Sequence, residues 1–388
     1  MLLSQRFHIS TNLFMKHEHI LVIRFSALGD VAMTVPVVWA LARQYPQVRI
    51  TVLSRNSSRT FFEDLAPNVN FMAADFKNEY HGVKGLNALY RRLVAKQFTA
   101  VADLHNVLRS DYLRLRFNLG RYRVAHIDKH RRQRRELVNK KPYNLSEPMP
   151  TSFENYIDVF ARLGYPIDPK NLCFRSIFDS HTEPLPPVPP KGNLNLVARA
   201  VGPKRSWEHW IGIAPFATYE GKIYPLNLME QVIDGLVRKY PKSRIFLFGR
   251  GEQEEAVFSQ WEEKWESCMY IGKHTENLYQ ELIVMSHLDV MVSMDSANMH
   301  MASLTATPVV SIWGATHPSA GFLGWKQSLD NAIQLSELDC RPCSIYGKKP
   351  CQRGDYACMN NIRPERVIEK IDQLLSKENS NAGRIINN

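Results

Sequence analysis

The 388-residue chain predicts an α/β protein built from two parallel-sheet domains. Three observations carry that reading. Apolar runs of strand length alternate with stretches of helical period from His19 to Leu375. Those runs, such as HILVIRF at 19–25 and VVSIW at 309–313, are continuous and do not alternate, as befits strands covered on both faces. Five prolines crowd residues 183–190 near mid-chain and make a stiff, extended connector between two units of ordinary domain size.

The first unit, 19–182, opens with a strand at His19–Phe25, a turn at Ser26–Asp30, a helix over Val31–Tyr45 and a strand at Val48–Leu53. This βαβ opening is of the mononucleotide-binding kind. It lacks G-x-G-x-x-G, which disfavours a dinucleotide-dependent dehydrogenase. Pro36 falls inside the helical pattern and should kink it or mark its effective start. Asp30 sits where the first strand meets the first helix. It could cap that helix and complement its dipole, or stand as a general base at the carboxyl edge of the sheet. Alternation continues with a strand at Asn70–Ala74, a helix at Leu86–Lys96, a strand at Thr99–Leu104 and a helix at Phe153–Leu163. Asp103 and His105 end the third of these at the same sheet edge, as loop polarity or as acceptor contacts. Seven Lys/Arg lie in Lys129–Lys141, among them Arg131 and Arg132. Such a run is a solvated face or a greeting surface for a phosphorylated, membrane-embedded partner.

After the linker at 183–207, the second unit, 208–362, starts with a strand at Trp210–Pro215. The following loop carries Thr218 and Lys222 ahead of Tyr224-Pro225. A hydroxyl, an ammonium and backbone amides at a strand's carboxyl end suit a leaving diphosphate, whose charge grows in the transition state. A lone surface lysine is the alternative. Next come a helix to about Lys239, a strand at Arg244–Phe248 ending in G-R-G-E with Glu252, a helix to about Glu266, a short strand at Met269–Ile271 and a helix at Leu278–Ser286. The stretch HLDVMVSMDSANMHMASLTATPVVSIWG at 287–314 then reads strand, turn, helix, strand. Its helix begins just past its strand, so free N–H groups and the positive dipole end point into the crevice where such sheets bind anions. Asp295 and Ser296 could be caps alone, and His300 an ordinary half-buried helix residue. A helix at 363–378 closes the chain, followed by a tail that should be mobile.

Composition narrows the classes. Apolar residues make up 44 % of the chain, enough for proper cores. No run of 18 or more apolar residues suggests a membrane span. The first 18 residues read as a ragged leader without a secretion signal, and Met15 is an alternative start. The net charge of +11 favours anionic partners: nucleic acid, phosphorylated substrates or an anionic membrane face. No aromatic-interleaved RNA module accompanies it. Six cysteines do not make a disulfide scaffold and point to a reducing cytoplasm. Four of them, Cys340, Cys343, Cys351 and Cys358, fall within 19 residues. They are either a structural zinc site or a loop of reduced thiols.

Three motifs together resemble the glycosyltransferase family 9 enzymes, the ADP-heptose:lipopolysaccharide heptosyltransferases. They are R-F-S-A-L-G-D-V-A-M-T-V-P around Asp30, the Thr218–Pro225 loop, and D-S-A-N-M-H-M-A followed by T-P-V-V-S-I-W-G-A-T. The resemblance implies the GT-B architecture, in which two Rossmann-like domains face each other across a cleft. The first is the acceptor side and the last helix crosses back toward it. It implies an inverting transfer of heptose from ADP-heptose to a lipopolysaccharide core or lipid A acceptor, in the cytoplasm and peripherally at the inner membrane face. Asp30 would be the catalytic base, its pKa raised toward the working pH by cleft burial. Thr218, Lys222, Glu252, Asp295, Ser296, Ala297 and His300 would bind the donor. Ala297 stands where the family's usual T-G-x-x-H has glycine and should narrow the pocket. No cofactor or divalent metal is required by these residues. The rival readings are a GT-B transferase using another nucleotide sugar and a non-catalytic nucleic-acid-binding protein.

Overall fold

A computed structural model describes residues 18–139, 149–179, 186 and 188–385, the last helix beyond residue 376 by its backbone only. The leader, Lys140, Lys141 and half of the proline connector, residues 183–185 and 187, lie outside the described residues. The first unit runs β1 (His19–Ile23), α1 (Leu28–Ala32), α2 (Val35–Gln44), β2 (Arg49–Ser54), β3 (Val69–Ala73), α3 (Gly82–Val94), β4 (Ala100–Asp103), α4 (Leu108–Leu119), β5 (Arg123–His126), α5 (Arg131–Asn139) and α6 (Ser152–Arg162). The second runs α7 (Ala198–Val201), β6 (Trp210–Ala214), α8 (Leu226–Lys239), β7 (Arg244–Leu247), α9 (Glu252–Lys264), β8 (Cys268–Tyr270), α10 (Leu278–Ser286), β9 (Val290–Met294), α11 (Ala297–Leu304), β10 (Val309–Ile312), β11 (Ala332–Ile333), α12 (Ala357–Asn360) and α13 (Pro364–Ile385).

The strands form two all-parallel sheets, β3-β2-β1-β4-β5 and β11-β10-β9-β6-β7-β8. Strand order reverses between β1 and β4 in one and between β6 and β9 in the other. A doubly wound sheet opens its ligand crevice at the carboxyl ends of such a pair. The segments after these four strands carry Asp30, His105, Thr218–Lys222 and Asp295–His300. Topology alone therefore gathers residues that lie up to 270 positions apart in the chain.

Local chemistry explains the elements. Residues of β1 and β9 are buried throughout, as central parallel strands require. The expected single first helix is two: α1 stops, the chain steps at Met33-Thr34, and Pro36 sits in the first turn of α2, where its missing N–H costs nothing. In α3, Gly85, Leu86, Leu89 and Leu93 face inward at helical spacing. Thr151 and Glu154 cap α6 reciprocally: Thr151 Oγ1 accepts from the Glu154 N–H at 3.2 Å, and Glu154 Oε2 accepts from the Thr151 N–H at 2.7 Å.

The two units share a continuous apolar seam that includes α2, α6, α10 and α11. Phe153 meets Trp325 edge-on at 4.9 Å between ring centres, and Trp39 meets Phe174 at 5.6 Å. The Ser152 N–H donates to Gly321 O at 3.0 Å. Gly321 has φ +84°, and a Cβ there would lie 2.5 Å from Pro150 O, so only glycine fits this crossing. One expectation is corrected. The final helix α13 packs on α8 and on β9 and β10, so it braces the second sheet where a return toward the first domain was expected. Its apolar stripe of Val367, Ile371 and Leu375 is fully consumed there.

Candidate active site

A cleft of about 780 Å³ lies between the carboxyl edges of the two sheets. Of the residues singled out in the sequence, Asp30, His105, Thr218, Lys222, Asp295, Ser296, Ala297 and His300 line it. The domains touch most closely where α1 meets the start of α11. A Cβ on Gly29 would stand 2.8 Å from His300 Cδ2 and 3.1 Å from Ala297 Cα, so the absence of a side chain at 29 lets the Asp30 turn reach α11. Ala297 faces that glycine.

Asp30 is held from below. Arg24, buried at the end of β1, places Nη2 2.8 Å from Asp30 Oδ2 while Nη1 donates to Leu104 O at 2.6 Å. The Ala27 N–H donates to the same Oδ2 at 3.1 Å. Burial pushes the Asp30 carboxyl up. The Arg24 guanidinium, the Ala27 N–H and the nearby His300 outweigh it and hold the group below the usual carboxylate range. The expected upward shift is thus reversed, because a buried cation was not foreseen inside an apolar strand. Asp30 is ionised throughout the neutral range, with Oδ2 engaged and Oδ1 left for a proton.

On the facing side, Lys222 Nζ lies 3.0 Å from Asp295 Oδ2, which also accepts from Thr316 Oγ1 at 2.9 Å. Lys222 stands in a 3₁₀ turn whose Gly221 O accepts the Ala315 N–H at 2.8 Å. The 340–348 loop covers it: a Cβ on Gly347 would meet Lys222 Cδ at 2.6 Å. Ser296 is the N-cap residue of α11, and no side chain caps that helix. Its first N–H groups are therefore open to an anion. Burial pushes the His300 imidazole down to about 4 against the pull of Asp295 and Asp30, so the ring is neutral at pH 7. Its Nδ1 is buried without a hydrogen-bond partner among the described residues.

Several expected residues fall elsewhere. Glu252 begins α9 exposed and does not line the cleft, because the G-R-G turn points the next helical turn inward. The glutamates that do line it are Glu254, which accepts the Arg250 N–H at 2.9 Å, and Glu281, which accepts from Arg250 Nε at 2.7 Å. Burial raises both. Asp103 is fully buried below the cleft. Its Oδ1 accepts from the N–H groups of His105 and Asn106 at 2.9 Å each, and Oδ2 pairs with Arg114 at 3.1 Å. It shapes the loop that presents His105, whose ring burial drives to about 3. Arg131 and Arg132 are exposed on α5 outside the cleft, whereas Lys129 and Arg134 of the same basic run line it. Arg134 lies over Phe322 and Tyr346 at 5.0 and 5.5 Å and donates to the Tyr346 hydroxyl, bridging the domains. Arg24, Arg134, Glu254 and Glu281 were missed. The one legible signal was a lone arginine inside the apolar run HILVIRF.

The four clustered cysteines are unbridged, and Arg341 lies among them. Among the described residues, no three His, Cys, Asp or Glu side chains are arranged to hold a metal ion. Arg341 donates to the carbonyls of Gly314, Leu335 and Thr316, and the Cys343 N–H donates to Ala315 O at 3.1 Å. The segment thereby braces the Gly314–Thr316 loop that supports both Lys222 and Asp295.

A facing pair of doubly wound domains, with a carboxylate on one lip and an anion cradle on the other, defines a glycosyltransferase of GT-B architecture. The model of Glycosyltransferase family 9 (heptosyltransferase) matches residues 86–351, and the chain belongs to that family. It is 22 % identical over 376 residues to the lipopolysaccharide core heptosyltransferase OpsX of Haemophilus influenzae, covering 91 % of this chain and 96 % of that one. Among solved structures, a family 9 glycosyl transferase from Veillonella parvula superposes with TM-score 0.67 at 18 % identity, over 94 % of this chain and 99 % of that one. The E. coli ADP-heptose lps heptosyltransferase II superposes with TM-score 0.62 at 20 % identity, over 93 % and 99 %. These likenesses establish the fold.

Proposed function

We propose that this glycosyltransferase moves heptose from ADP-heptose to a lipopolysaccharide core acceptor in a single inverting displacement. One observation carries the reading: the Asp30 turn and the open N-terminus of α11 meet across one cleft, at the Gly29–His300 approach. Asp30 takes the acceptor hydroxyl proton on Oδ1. The acceptor oxygen then bonds to the anomeric carbon as the bond to the diphosphate oxygen breaks on the opposite face. Negative charge grows on the departing diphosphate, where Lys222, Thr218 and the α11 N–H groups stabilise it. Asp295 orients Lys222, and the unpartnered His300 Nδ1 offers a further polar contact. Glu254 and Glu281 suit hydroxyl and amino donors of the nucleoside. No step calls on a metal.

The names of the similar proteins and the family's description support heptose and lipopolysaccharide as the substrates. Lys129, Arg134 and Lys348 line the cleft and suit an anionic acceptor. We read that acceptor as lipid-linked and the reaction as one of the cytoplasmic face of the inner membrane. No described helix is long and apolar enough to cross a membrane. Calorimetry with ADP and UDP tests the donor side. ADP is expected to bind at least tenfold more tightly, a difference of about 1.4 kcal/mol. Equal affinities would return the choice to another nucleotide sugar.

A further inference from the structure

The α3–α4 face lies far from the chemistry yet is built unlike an ordinary solvated surface. Helix α4 buries Ser110, Leu113 and Phe117 against the first sheet. Its opposite side carries Leu108, Leu115 and Leu119, which are 88 %, 57 % and 73 % exposed. Their spacing of seven and four residues puts all three on one stripe about 16 Å long, given a helical rise of 1.5 Å per residue. The helix is therefore apolar on both sides, and one side has nothing packed on it among the described residues.

Positive charge predominates around this stripe, with Glu79, just ahead of α3, paired to Arg92 at 3.2 Å. The neighbouring α3 carries Lys84, Arg91 and Arg92 and no carboxylate. Helix α4 carries Arg109, Arg114 and Arg116 against a single carboxylate, Asp111, which Arg114 holds at 2.9 Å. Leu108 follows three residues after His105, which lines the cleft. The stripe thus starts a few residues along the chain from a cleft-lining side chain and runs down one flank of the acceptor-side domain.

We propose that the α3–α4 face docks peripherally on an anionic phospholipid surface. The leucines enter the boundary between headgroups and acyl chains, and the flanking Lys84, Arg91 and Arg109 meet headgroup phosphates. Aliphatic residues between rows of Lys and Arg are the pattern of an interfacial helix. A single-stranded nucleic acid would call for exposed aromatic rings to stack on, and this stripe is aliphatic. A second copy of the chain would bring like-charged rims together. The geometry also divides the work among basic residues: Lys129 and Arg134 turn into the cleft, and this separate face meets the bilayer. Its purpose rests on the proposed lipid-linked acceptor, but docking itself needs no substrate.

The test is co-sedimentation of the full chain with vesicles of phosphatidylethanolamine and phosphatidylglycerol, against phosphatidylcholine alone. The chain is expected to bind the anionic vesicles and to release with salt. The double substitution Leu115→Ser with Leu119→Ser should weaken binding about tenfold or more, as should Lys84→Glu with Arg91→Glu, since apolar insertion and charge both contribute. ADP affinity and turnover on a delipidated acceptor should stay at the parent level in both variants. No binding of the parent chain to anionic vesicles, or a leucine variant that binds as well as the parent, would overturn the proposal. So would a dimer in sedimentation velocity that the leucine substitutions dissolve. Vesicle binding that persists while ADP-heptose is not turned over would instead remove the donor reading and leave docking intact.

Discussion

The two lips of the cleft each hold a functional charge against its opposite, and they do so differently. On the first domain, Asp30 is paired at 2.8 Å with Arg24, which is itself buried and anchored to Leu104 O. On the second, Lys222 is paired at 3.0 Å with Asp295, which is buried and steadied by Thr316. In the first pair the deep partner is the cation, and the carboxylate proposed as the base keeps one oxygen free. In the second the deep partner is the anion, and the cation lies at the surface an incoming diphosphate would reach. The Asp30 pair is a permanent fixture that keeps a base ionised. The Lys222 pair is a placeholder, in which a carboxylate occupies the ammonium until a stronger anion arrives.

The sharpest way to break this comparison is Asp30→Asn. The amide keeps the shape and the Arg24 contact but cannot take a proton. Turnover should fall about 10²- to 10⁴-fold, the usual worth of a general base. ADP affinity should stay within a few-fold, because the donor cradle sits on the other lip. Steady-state rates and calorimetry on the same preparation check both halves. Full activity in this variant would take the base away from Asp30.

Much of this contrast could be read from the chain before any coordinates. Long apolar runs and helical spacing disclosed the parallel α/β architecture, since buried parallel strands have a sequence pattern of their own. The start of α11 was legible because a polar pair followed by helical spacing marks a helix start. What escaped reading shares one cause: it depends on which way a side chain turns. Arg134 lines the cleft while Arg131 and Arg132, three and two residues away, do not. Glu254 lines the cleft and Glu252 does not. Helix α4 lacked a clear amphipathic signal, being apolar on two opposite sides, and α5 is polar almost throughout and reads as a charge run. Arg24 looked like an irregularity in a strand and leads the influences that keep the Asp30 carboxyl ionised.

The placeholder on the donor lip is tested by Lys222→Met, which keeps the length and loses the charge. ADP affinity should fall roughly tenfold, and turnover by about 10- to 100-fold beyond that, because the charge on the diphosphate grows as its bond breaks. Asp295 would be left as a buried, unpaired carboxylate, so a modest loss of thermal stability should accompany the change. If turnover falls no further than donor binding does, Lys222 holds the ground state alone, and its role in the departing charge is withdrawn.

The smallest effect, and the one that isolates the first lip, is expected from Arg24→Met. Two opposing influences act on Asp30, burial raising its pKa and Arg24 leading those that lower it. Without the guanidinium, burial gains ground and the folded pKa rises. The acid limb of the pH–rate profile should therefore move to higher pH, while turnover above that limb drops by only about three- to tenfold, because the ionised base is intrinsically stronger there and only its positioning by Arg24 is lost. Stability follows the same sign. A carboxyl held below its ordinary value of 3.8 stabilises the fold above that pH, and the contribution is lost as pH falls through the lowered value. The parent should consequently lose stability on acidification later than the variant does. Thermal melts across the acid range, paired with the rate profile, separate this from a packing defect, which would lower stability equally at every pH and leave the limb in place.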